Sequence, residues 1–121
     1  MSKRILVVED EEDNRRIVRD LLTSGGYEII EAVTGEEGVT AAETHLPDLI
    51  LMDIQLPGLD GYEATRRIKA NPALRHIPII AVTSYALSGD DIKAFEAGCD
   101  AYISKPFSPR ALLAKIREYL P

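Results

Sequence analysis

One cysteine and two histidines are all that 121 residues offer of thiol and imidazole chemistry. Cys99 has no partner for an internal disulfide, which fits a reducing compartment. With no histidine near it in sequence, it reads as a small buried hydrophobe and not as a nucleophile. His45 and His76 stand alone in polar helix-end or loop surroundings and read as solvated residues, so the Cys and His ligands of a zinc site are missing. No apolar run approaches the roughly 20 residues that cross a bilayer. Met1-Ser2-Lys3-Arg4 does not open an export leader either, so a cytoplasmic protein without membrane insertion is expected. Clustered basic charge is also scarce. With 14 Lys and Arg against 20 Asp and Glu, the formal net charge is −6, which disfavours contacts to a phosphate backbone. Arg15, Arg16 and Arg19 share one segment and read as a solvated helix face, so direct nucleic-acid binding is not expected.

A chain that is 45% hydrophobic and 28% charged is globular in composition and long enough to bury its own core. Short apolar runs alternate with longer segments of helical spacing. Ile5 to Val8, Tyr27 to Ala32, Leu49 to Met52, Ile79 to Val82 and Ala101 to Ser104 read as five strands, the first a continuous run of the kind buried on both faces. Ile17, Val18, Leu21 and Leu22 mark a first helix stopped by Gly25-Gly26. Thr34-Gly35-Glu36-Glu37 has capping-box spacing and opens a second helix running to about His45. Asp60-Gly61-Tyr62-Glu63 caps a third, which Asn71-Pro72 breaks near Ala70. Ser88-Gly89-Asp90-Asp91 caps a fourth carrying Ile92 and Phe95, and Ser108-Pro109 opens a fifth with Leu112, Leu113 and Ile116. Five βα units predict a doubly wound parallel sheet of flavodoxin-like order 2-1-3-4-5, as a single domain over 1–121.

In such a sheet the carboxyl ends of the strands line one cleft, and here those ends carry Glu9-Asp10, Asp53, Thr83 and Lys105. The order makes the first and third strands neighbours, which brings Asp10 and Asp53 together from 43 positions apart. An isolated aspartate after a strand is commonly a loop cap. Three carboxylates in one cleft instead raise one another's pKa unless a cation neutralises them. Mg²⁺ suits such oxygen ligands: Asp10 and Asp53 directly, Glu9 through water, and a backbone carbonyl just after Asp53, most naturally that of Gln55. A carboxylate beside a metal can also attack phosphorus. Lys105 is placed to stabilise the phosphoryl oxygens, and the Thr83 hydroxyl to hydrogen-bond one of them.

These residues resemble the CheY-like receiver domains of two-component response regulators over essentially the whole chain. The matching residues are Glu9-Asp10, Asp53 with Pro57 and Gly61 downstream, Thr83, and Lys105-Pro106. Met52-Asp53-Ile54-Gln55-Leu56-Pro57 and Tyr102-Ile103-Ser104-Lys105-Pro106 further resemble single-domain cell-cycle regulators of the DivK type. The resemblance implies that Asp53 accepts phosphate from a histidine kinase or phosphotransfer protein, with Mg²⁺ bound by Glu9, Asp10, Asp53 and the Gln55 carbonyl. It implies an acceptor modified on its own side chain, not a turnover enzyme. It also implies a cis bond between Lys105 and Pro106, switching through Thr83 and Tyr102, and tuning of hydrolysis by Gln55 and Tyr85. Ser84 departs from the family's usual alanine but is small enough to preserve access.

The expected reader of the switch is a protein target on the face of the fourth helix, fifth strand and fifth helix, with the chain a monomer or a phosphorylation-dependent dimer. Asn14, Ile17 and Val18 are the expected docking face for the phosphodonor, although Val18 suits the core equally well. The end at Pro121 is read as a stand-alone receiver with no output domain; a receiver excised from a larger regulator is the alternative. Two rival chemistries share parts of the pattern. A phosphatase of haloacid dehalogenase type would have a second acid where Gln55 stands. A flavodoxin would need a phosphate-cradling first loop, which Glu9-Asp10-Glu11-Glu12-Asp13 would repel. A docking module that is never phosphorylated would not need the pocket.

Overall fold

Strands form where the apolar runs stand. The structure, a computed structural model, describes residues 2–84 and 90–121. Its strands are β1 (Arg4–Val8), β2 (Glu28–Ala32), β3 (Leu49–Asp53), β4 (Ile79–Thr83) and β5 (Ala101–Ser104). All pair in parallel, in the order β2-β1-β3-β4-β5. The helices between and after them are α1 (Glu12–Ser24), α2 (Gly35–His45), α3 (Gly61–Ala70), α4 (Asp90–Ala97) and α5 (Pro109–Tyr119). Four strand ends differ from the sequence reading, the first being that of β1, which begins at Arg4 and not at Ile5. Tyr27 belongs to the turn before β2, where its N–H donates to Leu22 O at 3.1 Å. At the other end of the sheet, β3 and β4 run one residue beyond their apolar runs and take in Asp53 and Thr83. The expected fourth-helix cap at Ser88-Gly89 lies outside the described residues.

Alternation along the strands divides the core in two. Leu6, Val8, Ile50, Met52, Ile79 and Ala81 point to the layer containing Ala64 and Ile68 of α3 and Ala94 of α4. Ile5, Val7, Leu49, Leu51, Ile80 and Val82 point to the layer containing Leu22 of α1 and Leu112 and Ile116 of α5. Central strands covered on both sides cannot tolerate polar residues until they end, which is why β3 and β4 are wholly buried. The edge strand β2 exposes Glu28 and Glu31.

The caps work as their chemistry requires. Thr34 Oγ1 accepts from Glu37 N at 3.1 Å, Asp60 Oδ1 from Glu63 N at 2.9 Å, and Ser108 Oγ from Ala111 N at 3.0 Å. The end of α2 is less favourable, because exposed Leu46 adopts a left-handed backbone at φ 48°. Glycine holds that conformation without a Cβ penalty. Leu46→Gly is therefore expected to stabilise the fold by about 0.5 kcal/mol, read as a higher urea midpoint at unchanged m-value.

Candidate functional site

Strand parity selects which side chains meet. Glu9, Asp53 and Lys105 each lie an even number of residues beyond strand positions facing α1 and α5 (Val7, Leu51 and Ile103), so all three emerge on that side of the sheet. The cluster expected from the strand order is present: carboxylate oxygens of Glu9, Asp10 and Asp53 lie within 4.8 Å of one another. Glu9 and Asp53 are buried, and Asp10 is partly exposed.

Lys105 brings an ammonium to the cluster. Lys105 Nζ donates to Glu9 Oε1 at 2.6 Å and to Asp53 Oδ2 at 3.5 Å, from a side chain only 19% exposed. The backbone fixes the other oxygens: Glu11 N donates to Glu9 Oε2 at 3.2 Å, and Gln55 N to Asp53 Oδ1 at 3.0 Å. The Lys105–Pro106 peptide bond is cis.

The charges are out of balance. Burial, then the hydrogen bond and negative charge of Glu9, push Asp53 up to about 7 despite the opposing pull of Lys105 and of Gln55 N–H. Burial also pushes Glu9 up, but its hydrogen bonds to Asp53, Lys105 and Glu11 N–H outweigh it and the net direction is down. For Lys105, burial acts downward and is overcome by the Glu9 hydrogen bond and the two carboxylate charges, so its pKa rises. Among the described residues, two buried acids thus meet beside one ammonium. An all-oxygen donor set with surplus negative charge fits a divalent hard cation.

Gln55 does more than its sequence position indicates. Ser84 N can only donate, and it donates to Gln55 Oε1 at 3.0 Å. That orients the amide so that Nε2 donates to Thr83 Oγ1 at 2.7 Å. The side chain thus ties the segment after β3 to the end of β4. Thr83 is buried, on the same side of the sheet as half-buried Tyr102, which packs against the layer containing α3 and α4. Tyr85 lies outside the described residues.

Of the expected docking residues, Ile17 is 60% exposed, whereas Val18 packs against the core. Asn14, Ile17 and Val18 line a cavity of about 460 Å³ between α1 and the segment after β5, and Glu9, Asp53 and Lys105 also border it. The reading of Arg15 as part of a solvated face does not hold. Its side chain is 16% exposed and pairs with Glu31, which β2 places on the α1 side of the sheet. Arg15 and Arg19 are one helical turn apart, and both reach the same edge-strand acid. That spacing was the available signal.

Residues 5–117 match the response regulator receiver domain family. Over 120 residues the chain is 48% identical to the polar-differentiation response regulator DivK of Brucella ovis, covering 99% of this chain and 98% of that one. Among solved structures it is similar to the receiver domain of a sensor histidine kinase from Pseudomonas aeruginosa, which has a magnesium ion coordinated in its active site cleft. That match has a TM-score of 0.93 at 39% identity and covers 99% and 98% of the two chains. A CheY-like response regulator receiver domain protein from Methanospirillum hungatei matches with a TM-score of 0.90 at 38% identity, over 99% and 94% of the chains.

Proposed function

The chain belongs to the response regulator receiver family of two-component signalling, and from that membership we propose that Asp53 is phosphorylated by a histidine kinase or phosphotransfer protein in a Mg²⁺-dependent reaction. The observation that carries the reading is the set of three carboxylates within 4.8 Å of one another, with Lys105 reaching two of them. Asp10, Asp53 and the Gln55 carbonyl would hold Mg²⁺, with Glu9 acting through water. The ion would supply positive charge to the phosphoryl oxygens and favour ionised Asp53.

The residues of the chain do the rest. Gln55 N–H fixes Asp53 Oδ1, which leaves Oδ2, on the Lys105 side, to attack phosphorus. An O–P bond forms as the P–N bond of the donor phosphohistidine breaks, and the bonding pair leaves with the imidazole. Lys105 exchanges part of its contact with Glu9 for the incoming phosphoryl oxygens, and the Thr83 hydroxyl donates to another once it turns from Gln55. Turnover of other substrates has no part in this scheme, because the protein is itself the acceptor. The donor docks over Asn14 and Ile17 beside the cavity. Inward movement of Thr83 and Tyr102 then shifts a pre-existing equilibrium. A protein target reads that shift on α4, β5 and α5, where Ile92 and Phe95 are exposed one turn apart.

Acetyl phosphate with Mg²⁺ tests the assignment. Intact-mass spectrometry is expected to show one phosphoryl group on the wild type, and none on Asp53→Asn or in the presence of EDTA. A label that survives in Asp53→Asn would move the acceptor elsewhere.

A further inference from the structure

The acidic turn between β1 and α1 is held from behind by a residue that touches none of the metal-cluster carboxylates. Arg15 Nη1 donates to the carbonyl oxygens of Glu9 at 3.1 Å and Asp10 at 3.4 Å. Its Nε donates to Glu31 Oε1 at 3.3 Å. Glu31 is braced in turn by Arg19, whose Nη1 lies 3.2 Å from both carboxylate oxygens. The turn carries two of the three clustered acids, and their mutual repulsion favours spreading them apart. Fixing the two carbonyls fixes the peptide planes from which both side chains leave. A guanidinium can do this while keeping its ion pair, because its donors form a rigid fork.

We propose that Arg15, oriented by Glu31, is a positioning residue that holds Glu9 and Asp10 in their metal-binding arrangement. The inference rests on the Mg²⁺ reading above. It also predicts a sign that simple electrostatics does not. Removing a cation close to an acidic site should by charge alone tighten Mg²⁺ binding, whereas loosening its ligands weakens it. Outer partners of metal ligands commonly matter by on the order of tenfold in affinity.

The test is Mg²⁺ titration of the whole chain, followed by ¹H–¹⁵N shifts or calorimetry, with thermal melting in EDTA as the stability control. Arg15→Met is expected to weaken Mg²⁺ binding on the order of tenfold while the metal-free melting point stays near that of the wild type. Arg15→Lys should fall between the two, and it carries the test should Arg15→Met not fold. Glu31→Gln should weaken binding in the wild-type background and add nothing in Arg15→Met. Mg²⁺ affinity within about twofold of wild type in both Arg15 variants, or tighter, overturns the clamp while leaving the Mg²⁺ reading intact. So does a Glu31→Gln effect that persists without Arg15. A wild type that binds no Mg²⁺ overturns both.

Discussion

Asp53→Asn is expected to melt higher than the wild type in metal-free solution at about pH 8, and the gap should close as the pH falls. In the fold Asp53 titrates near 7, against an ordinary value of 3.8. A carboxyl whose folded pKa is raised stabilises the fold least when ionised. Its contribution is most favourable below about 4, falls as the unfolded chain loses its proton between about 4 and 7, and is flat above. At about pH 8 the wild type must hold two buried anions beside Lys105, at a cost on the order of 2–3 kcal/mol once partial solvation of the cleft discounts the roughly 4 kcal/mol of the full shift. Asparagine keeps the acceptor for Gln55 N–H and can offer Glu9 a donor, while Lys105 keeps its 2.6 Å contact with Glu9. A melting difference of roughly 8 °C at about pH 8 is expected for a domain of this size, shrinking towards zero near pH 4. Saturating Mg²⁺ should stabilise the wild type more than the variant and narrow the gap at high pH. Scanning calorimetry across pH, in EDTA and in Mg²⁺, checks each part; a gap independent of pH would refute the account.

What could be read in advance follows from periodicity and chain direction. The apolar runs, the caps at Thr34, Asp60 and Ser108, and the strand order are local or topological. Together they suffice to bring Asp10 and Asp53 to one cleft. The side-chain contacts across elements were not legible in the same way. Whether Lys105 closes on Glu9 or on Asp53 depends on ångström differences between strand ends, and it closes on Glu9 at 2.6 Å against 3.5 Å to Asp53. Gln55 stands out in the sequence only by its place two residues after Asp53, and the bridge its amide makes to Thr83 and Ser84 depends on how two loops approach. The spacing of Arg15 and Arg19 signals a shared face, and the packing of α1 on β2 decides that Glu31 stands opposite it. The surplus charge at Asp53 is a burial effect, visible only once the cleft has walls.

Gly61→Ala is expected to be among the most damaging single-methyl changes in the chain, although nothing about the Gly61 backbone requires glycine. It sits in the first turn of α3, where alanine has the better helix propensity by about 1 kcal/mol. Space decides the outcome. A Cβ there would lie 2.2 Å from the Asp53 carbonyl oxygen and 2.7 Å from Ile54 Cα. Neither atom is the end of a flexible side chain, so the start of α3 and the segment carrying Asp53 must separate. That breaks the 3.2 Å bond from Gly61 N to Ile54 O and disturbs the cap that Asp60 makes on Glu63 N. Overpacking of this kind costs about 3 kcal/mol, which exceeds the propensity gain. Gly58 provides the contrast. Its φ is +72° with nothing within 4 Å of an added Cβ, so Gly58→Ala pays only the conformational penalty of about 1 kcal/mol. Urea unfolding should therefore rank Gly61→Ala well below Gly58→Ala, and Mg²⁺ binding should weaken only in the former, because only there does the backbone of Asp53 move. Equal losses in the two variants would mean that α3 can slide to absorb the methyl. In that case the close approach at Gly61 would not be what fixes Asp53 at the end of its strand.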